Sequence, residues 1–199
     1  MSKEDAGIIG TQKAAIRKEI LKKRRMLSDE ECMRRSKIIC ETFLEKSLYR
    51  DAKTILLYKA YNNEVNTDMI FERAIADGKT VAYPVSAMMD GEPVMTFYIT
   101  DDLQTLREGY KTIPEPDPDM SLGAFEGRAD VCIVPGAAFD RKCHRIGYGK
   151  AFYDRYIRLY EPAIVAGLAY SDQIVDDFET EDCDRPADLV ITESGIYYR

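Results

Sequence analysis

The sequence predicts a three-layer α/β/α protein with an open, mainly parallel sheet and an additional β-hairpin region. Three observations support this fold class: short apolar runs alternate with stretches of helical period, the runs are too short for helices, and 199 residues suit one domain. A chain of this length can bury roughly 70% of the surface that its unfolded form exposes. We therefore expect a single domain over residues 1–199.

The helices are predicted from apolar periodicity and from capping residues. Thr11 can cap the first helix, the S-x-x-E capping box at Ser28 can cap the second, and Thr67 can cap the third. Gly78 can end the third helix in a left-handed conformation. The expected helices cover residues 12–27, 28–44, 67–76 and 150–160.

The strands are predicted from short apolar runs bounded by turn residues. Pro84 implies that the second strand ends there or lies at an edge, and Asp90-Gly91 is a hairpin signal. The proline-rich segment 114–118 is expected to be a surface loop without regular structure. The expected strands cover residues 54–58, 79–85, 94–99, 130–135, 163–169, 189–192 and 196–198.

Composition and cysteine use limit the classes of protein. The apolar fraction of 45% and the charged fraction of 32% exclude a disordered or collagen-like chain. No window approaches the ~18 apolar residues of a membrane span, and the charged start over residues 1–5 lacks the apolar core of a signal peptide. Five widely spaced cysteines without a C-x-x-C pair fit neither a zinc cage nor a disulfide framework. We expect a cytoplasmic protein.

The charge distribution favours a small polyanionic ligand. The net charge is −7, yet residues 1–50 contain 13 Lys and Arg against 8 Asp and Glu. An acidic total argues against a general nucleic-acid binder, whereas local cationic clusters suit a nucleotide or a phosphorylated metabolite. On the first helix, Lys13, Arg17 and Arg24 fall near one line. This stripe is either a solvated surface or, if the helix covers a ligand, a binding face.

The segment from Val134 to Asp154 carries the strongest signal for chemistry. It leaves the carboxyl end of a predicted strand and enters a helix, where open α/β sheets place their ligands. Gly147 and Gly149 let backbone amides approach phosphate oxygens. Arg145 and Lys150 flank these glycines and can bind an anion. The spacing matches neither the Rossmann nor the Walker A pattern, so an ordinary glycine turn is an equally open interpretation.

Carboxylates near this segment suggest a divalent cation. Asp154 follows Lys150 by four residues, which places both side chains on one face of the predicted helix. A carboxylate beside a phosphate-binding lysine can hold Mg²⁺, but the residues alone favour a routine helical ion pair. Asp188 is the candidate second carboxylate, because it immediately precedes an apolar strand. The single histidine, His144, lies in a polar loop and is interpreted as a surface residue rather than a catalytic base.

Three blocks of the sequence carry a family resemblance. They are Lys13-x-x-x-Arg17 followed by Arg24 or Arg25 and Leu27-Ser28, then Glu64-Val65-Asn66-Thr67, then Val134 to Asp154. In this order, and over nearly the whole chain, they resemble the 5-formyltetrahydrofolate cyclo-ligase family, also called 5,10-methenyltetrahydrofolate synthetases. The third block is similar to the family pattern V-P-G-x-x-F-D-(x)₄-R-(L/I)-G-x-G-K-G-Y-Y-D. It departs from that pattern at Ala151 and Phe152, where the family usually has Gly and Tyr.

The resemblance implies a three-layer α/β fold and an ATP- and Mg²⁺-dependent cyclisation of 5-formyltetrahydrofolate to 5,10-methenyltetrahydrofolate, with release of ADP and phosphate. The formyl oxygen would be phosphorylated and nitrogen 10 would attack. For this chemistry we assign charge stabilisation to Lys150 and Arg145, and the resemblance implies Mg²⁺ at Asp154 and Asp188. The implied ATP contacts are Lys13, Arg17, Arg145, Ile146, Gly147, Tyr148, Gly149, Lys150, Ala151, Phe152 and Tyr153. The implied folate contacts are Lys59, Glu64, Tyr148, Gly149, Lys150, Ala151 and Phe152.

Two other functions stay open on the sequence alone. One is a phosphosugar isomerase or CoA-transferase relative on a similar scaffold, which would work without ATP. The other is a nucleotide- or folate-binding regulator that has lost turnover, although the retained Lys150, Asp154, Asp188 and Glu64 argue against it. The expected partner is the small-molecule folate substrate. Nucleic acid and membrane are not expected as partners, and the chain is expected to be a monomer.

Overall fold

A seven-stranded sheet lies at the centre of residues 3–199, the part of the chain that this computed structural model describes, with side chains from residue 9 onward. The charged start therefore lies partly outside the described residues. The helices are α1 (Lys3–Arg25), α2 (Asp29–Leu44), α3 (Ser47–Asp51), α4 (Asp68–Ala76) and α5 (Phe152–Tyr160). The strands are β1 (Thr54–Leu56), β2 (Thr80–Met89), β3 (Glu92–Ile99), β4 (Leu106–Glu108), β5 (Pro114–Pro116), β6 (Val131–Val134), β7 (Ala138–Asp140), β8 (Arg145–Ile146), β9 (Ile164–Leu168), β10 (Ile174–Val175), β11 (Leu189–Thr192) and β12 (Gly195–Tyr198).

The main sheet is open and mainly parallel, as predicted. Its strand order is β12-β11-β9-β6-β1-β2-β3. The five strands from β11 to β2 pair in parallel, and β12 and β3 add antiparallel hairpins at the two edges. Two smaller sheets, β10-β7-β8 and β4-β5, lie beside it. None of the helices within residues 3–199 is both long and apolar enough to cross a bilayer.

Both faces of the main sheet are buried, which explains why its strands are continuous apolar runs. Successive side chains of a strand point to opposite faces, and in β1 both Ile55 and Leu56 are fully buried. Ile55 belongs to the same apolar cluster as Ile39 of α2 and Ile70 of α4. Leu56 belongs to the cluster that contains Tyr156 of α5. The helices therefore cover the sheet on both sides, and the predicted three layers are confirmed.

The first helix is longer than predicted and packs away from the main sheet. It begins at Lys3, so Thr11 lies inside α1 and does not cap it. The helix continues through this position because the side chain of Ile9 is already buried and extends the packed face. Ile20 clusters with Ala137 and other buried residues of the glycine-containing segment, which runs from Val134 to Asp154. The face of α1 that carries the cations consequently covers that segment.

The caps of the next helices are confirmed in part. The Glu31 N–H donates to Ser28 Oγ at 3.2 Å, as the capping box predicts. The Glu31 carboxylate instead bonds Arg34 and Arg35, and these bonds hold its pKa down at about 2. Thr67 does not cap α4 with its side chain. Its hydroxyl donates to the carbonyl of Tyr58 at 2.7 Å, and the loop before α4 is held in this way to the segment that follows β1.

Prolines occupy strands in two places where the sequence suggested an end or a loop. β2 continues through Pro84 to Met89, because β1 pairs with it only as far as Ala82 and leaves Pro84 paired with β3 alone. The segment 114–116, expected to be irregular, pairs with β4 as β5. Prolines at alternate positions lack their N–H groups on the same side of a strand. Because each strand of a two-stranded sheet has one unpaired side, prolines on that side remove no hydrogen bond from the sheet.

The glycine-containing segment is more regular than a loop, and its helix begins later than predicted. Residues 138–140 and 145–146 form β7 and β8. The helix α5 begins at Phe152, because Ala151 takes a left-handed conformation with φ of 51°. Lys150 therefore precedes the helix, and the expected helical face shared by Lys150 and Asp154 does not exist.

Candidate active site

A cleft of about 480 Å³ opens at the carboxyl edge of the main sheet. Tyr58 and Lys59 follow β1 and Pro135 follows β6, and all three line the cleft. This is the position that the open α/β architecture favours for a ligand. Of the site residues predicted from the sequence, all except Asp188 line it. Among the described residues, eight Lys and Arg and five Asp and Glu line the cleft, so it is locally cationic in an acidic protein.

The cationic stripe of α1 faces the cleft and is not a solvated surface. Lys13 is only 6% exposed and forms ion pairs with Asp184 and, at 3.2 Å, with Glu181. Arg17 Nε donates to Gly147 O at 2.6 Å. Partial burial lowers the pKa of Arg17. Lys13 and Arg17 lie about one turn apart on the helix. They thus hold the acidic loop (residues 176–188) and the glycine loop (residues 145–150) against the cleft.

Arg24 is a buried connector that the predicted site residues omitted. Its Nε donates to Asn62 O at 3.0 Å, and its Nη1 donates to the Tyr148 hydroxyl at 2.8 Å and to Gly136 O at 3.4 Å. Two sequence signals pointed to it: the helical spacing from Lys13 and the first block of the family resemblance, which contains Arg24 or Arg25. Arg24 joins α1, the loop after β1 and the glycine-containing segment at a single guanidinium.

The glycines permit a close backbone approach. A Cβ at Gly147 would lie 2.7 Å from Arg145 Nη1, so a larger residue would collide with this side chain. Gly149 has φ of 88°, which is costly for other residues. Lys150 is exposed at the cleft and has no ionic or hydrogen-bond partner among the described residues. The first amides of α5 lack intrahelical acceptors and lie beside it. Free donors and a free ammonium thus meet at this loop.

Arg145 and Asp154 form a buried ion pair at the floor of the cleft. Arg145 Nη2 donates to Asp154 Oδ2 at 2.9 Å, and the guanidinium lies 5.6 Å from the centre of the Tyr153 ring. The Nε of Arg145 is buried and has no acceptor within residues 3–199. The partner of Asp154 is therefore Arg145 and not Lys150.

The structure brings Asp184, rather than Asp188, to the cleft with Asp154. Asp188 precedes β11, is exposed, and its carboxylate accepts the Val165 N–H at 2.8 Å beside the amino ends of β9 and β11. Asp184 lines the cleft and pairs with Lys13, and the next residue donates its N–H to Asp154 Oδ1 at 3.3 Å. No local pattern distinguishes Asp184 among the acids of its loop, since its place depends on the distant α1.

Glu64 is a buried carboxylate that contacts the glycine loop through Tyr148. Its side chain is 8% exposed and lies 4.0 Å from Arg24 Nη1. The Tyr148 hydroxyl donates to one oxygen, and the Tyr61 N–H donates to the other at 3.0 Å. Burial raises the pKa of Glu64, although Arg24 and these two donors act in the opposite direction. Lys59, also predicted here, pairs with Asp68 at 2.6 Å.

An aromatic wall completes the cleft, and the sequence did not predict most of it. Tyr110 lies in the turn between β4 and β5, and its ring meets the Phe152 ring edge-on at a centroid distance of 5.5 Å. Glu115 is buried in β5 and accepts the Ser86 N–H at 3.1 Å, which ties this hairpin to β2. Phe152 packs through its ring, a contact that does not need the hydroxyl of a tyrosine.

His144 lies outside this cleft. Its Nδ1 is 2.8 Å from Asp140 Oδ2 in the turn between β7 and β8. The side chain is partly exposed. The interpretation of His144 as a loop residue agrees with this placement.

The fold and the cleft define a class: an α/β protein with a ligand cleft at the carboxyl edge of its sheet, cationic on one side and aromatic on the other. Within that class, the chain belongs to the 5-formyltetrahydrofolate cyclo-ligase family, whose profile matches residues 9–193. The family resemblance seen in the sequence is therefore confirmed.

Individual relatives agree with this assignment over most of the chain. A 5-formyltetrahydrofolate cyclo-ligase of Mus musculus is 25% identical over 196 residues, covering 94% of this chain and 96% of that protein. The structure of Aquifex aeolicus 5,10-methenyltetrahydrofolate synthetase superposes with a TM-score of 0.79 and 27% identity, covering 94% of this chain and 92% of that one. A Mycoplasma pneumoniae 5,10-methenyltetrahydrofolate synthetase superposes with a TM-score of 0.66 and 28% identity, covering 91% and 98%.

The left-handed conformation of Ala151 gives a prediction about stability. Ala151→Gly should raise the free energy of unfolding by about 1 kcal/mol, because an L-residue is strained at positive φ and glycine is not. The free energies can be compared by urea denaturation. Ala15→Gly, inside α1, is the matched control and should lower stability by about 1 kcal/mol. A loss of stability in Ala151→Gly would contradict the assignment of strain to this position.

Proposed function

We propose that this chain catalyses the ATP- and Mg²⁺-dependent cyclisation of 5-formyltetrahydrofolate to 5,10-methenyltetrahydrofolate, with release of ADP and phosphate. Besides family membership, one structural observation supports this reaction. A glycine loop with free donors and unpaired cations lies in the same cleft as a buried carboxylate and an aromatic wall. A triphosphate and a pterin need these two surfaces side by side.

The triphosphate is assigned to the side formed by α1 and the glycine loop. Arg17 and Lys150 offer positive charge without a carboxylate partner among the described residues, and Arg145 offers a buried Nε without an acceptor. The amides at the start of α5 add donors and the positive end of the helix dipole. Phosphate oxygens are the acceptors that this combination of groups fits.

Mg²⁺ is assigned to Asp154 and Asp184. Both carboxylates line the triphosphate side, and carboxylate oxygens with phosphate oxygens are ligands that Mg²⁺ prefers. Each is paired with a cation, Asp154 with Arg145 and Asp184 with Lys13. These pairs balance the negative charge, and the carboxylate oxygens are a donor set that fits the ion. Bound there, Mg²⁺ would neutralise charge on the phosphates.

The reduced folate is assigned to the side of Glu64. A buried carboxylate accepts hydrogen bonds from N–H groups along the edge of a pterin, and the rings of Tyr110 and Phe152 offer apolar faces to the rest of the ligand. The charge of Arg24 opposes the rise in the pKa of Glu64 that burial causes. The formyl group would then lie toward the glycine loop.

The chemistry requires activation of a poor leaving group. The formyl oxygen attacks the γ-phosphorus as the bond to the β-phosphate bridging oxygen breaks and ADP leaves. Nitrogen 10 then attacks the formyl carbon, the C–O bond breaks, phosphate departs, and nitrogen 10 loses its proton. The protein contributes positioning and charge stabilisation, with Lys150 and Arg145 beside the migrating negative charge.

The proposed reaction can be tested directly with purified protein. Incubation with 5-formyltetrahydrofolate, ATP and Mg²⁺ should generate the ultraviolet absorbance of the methenyl product together with one ADP for each product formed. Omission of ATP or Mg²⁺ should abolish both signals. Product without ATP would favour an isomerase-type mechanism, and binding of both ligands without product would favour a regulator.

Lys150→Ala should lower kcat/KM by about 100-fold, because the ammonium is placed to stabilise charge that develops on the transferred phosphoryl group. Its unfolding free energy should match that of the wild type, since Lys150 has no partner to lose among the described residues. Lys18→Ala, an exposed lysine of α1 that does not line the cleft, is the matched control. Unchanged kcat/KM in Lys150→Ala would remove this residue from the catalytic set.

The metal assignment predicts different effects for two aspartates of one loop, Asp184 and Asp188. Asp184→Asn should weaken Mn²⁺ binding about tenfold in the presence of a non-hydrolysable ATP analogue, whereas Asp188→Asn should leave it unchanged. Free Mn²⁺ can be measured by electron paramagnetic resonance, which does not depend on turnover. The reverse pattern would show that Asp188, and not Asp184, contributes to the metal site.

A further inference from the structure

The two sides of the cleft meet at one side chain, Tyr148. It lies between the two glycines of the loop assigned to the triphosphate, yet its hydroxyl reaches the carboxylate assigned to the folate. The hydroxyl donates to Glu64 and accepts a hydrogen bond from Arg24 Nη1 at 2.8 Å. The loop assigned to the nucleotide is therefore hydrogen-bonded to the subsite assigned to the folate.

Tyr148 occupies the position on Glu64 that a folate would need. The second oxygen of Glu64 is already bonded to the Tyr61 N–H at 3.0 Å, and the side chain is almost fully buried. A phenolic O–H and a pterin N–H are donors of the same kind. A pterin that bonds the remaining oxygen must displace the phenol or share a crowded carboxylate with it.

We propose that the Tyr148 hydroxyl is an internal substitute for the folate donor on Glu64, and that its displacement couples nucleotide binding to folate binding. This inference rests on the proposed function. In this role Tyr148 acts through the glycine loop that carries it, by coupling the two ligand subsites. It does not contact the reacting atoms.

The local geometry allows the displacement. Tyr148 is 42% exposed and lines the cleft, so its side chain has space to turn. The flanking Gly147 and Gly149 give the backbone freedom to follow it.

The nucleotide loosens the same loop from the other side. Arg17 Nε holds Gly147 O at 2.6 Å, and phosphate oxygens compete with this carbonyl for the guanidinium. Each ligand therefore breaks a different contact of this loop: the nucleotide breaks the one between Arg17 and Gly147, and the folate breaks the one between Tyr148 and Glu64. The ligand that binds second finds the loop already released, which makes the coupling positive, and linkage requires it to be reciprocal.

The coupling can be measured by isothermal titration calorimetry on the full chain. In the wild type, 5-formyltetrahydrofolate should bind about fivefold more tightly when a non-hydrolysable ATP analogue and Mg²⁺ are present. Tyr148→Phe should bind the folate about tenfold more tightly than the wild type without nucleotide, because no hydrogen bond to Glu64 has to be broken. In this variant the analogue should change the folate affinity less than twofold.

Tyr170→Phe is the matched control. The Tyr170 hydroxyl lies 3.2 Å from the backbone carbonyl of Glu64, so this variant removes a neighbouring phenol that does not touch the carboxylate. It should keep the coupling of the wild type. Thermal unfolding of each variant confirms that the protein tested is folded.

Two results would overturn the inference. A folate affinity that is unchanged or weaker in Tyr148→Phe would show that the Tyr148 hydroxyl holds Glu64 in place for the substrate and does not compete with it. Coupling that persists in Tyr148→Phe would place the link elsewhere. Failure of the proposed function is distinguishable, because the wild type would then form no methenyl product or bind neither ligand.

Discussion

The pairing of buried and half-buried cations on α1 with groups from distant segments is the interaction on which the site depends. Lys13 meets the acidic loop, Arg17 meets the glycine loop, and Arg24 meets both the glycine-containing segment and the loop after β1. A buried cation without a partner is strongly destabilising. The helix, the two loops and the end of β1 therefore have to be in place together, and the cleft exists only when they are.

The parallel sheet decides where this assembly forms. Strands buried on both faces carry mainly apolar side chains, so most functional groups come from the segments that follow strands such as β1 and β6 at the carboxyl edge. The protein is acidic overall, but its cleft is lined by more cations than carboxylates. This contrast concentrates positive potential at one place on a surface that otherwise repels anions.

Charge pairs balance the carboxylates of the cleft. Asp154 and Asp184 each have a cation beside them, and Glu64 has Arg24 and a phenol. Each of these pairs includes a group with affinity for a different part of the proposed substrates. Under the proposed function, a ligand would exchange partners with these groups, and its affinity would be the difference between two sets of satisfied interactions.

The sequence by itself determined the layers, the positions of the strands in the main sheet, the glycine loop and the family, because apolar period, turn residues and motif spacing are local properties. It could not show that Asp184 lines the cleft and Asp188 does not, since the position of Asp184 depends on Lys13, which lies 171 residues away in sequence. Nor could it show that α5 begins only after Ala151 or that Tyr110 faces Phe152. Tertiary structure decided these points. The packing of segments that are distant in sequence sets which donor, carboxylate or ring contacts which partner, and no local pattern connects those segments.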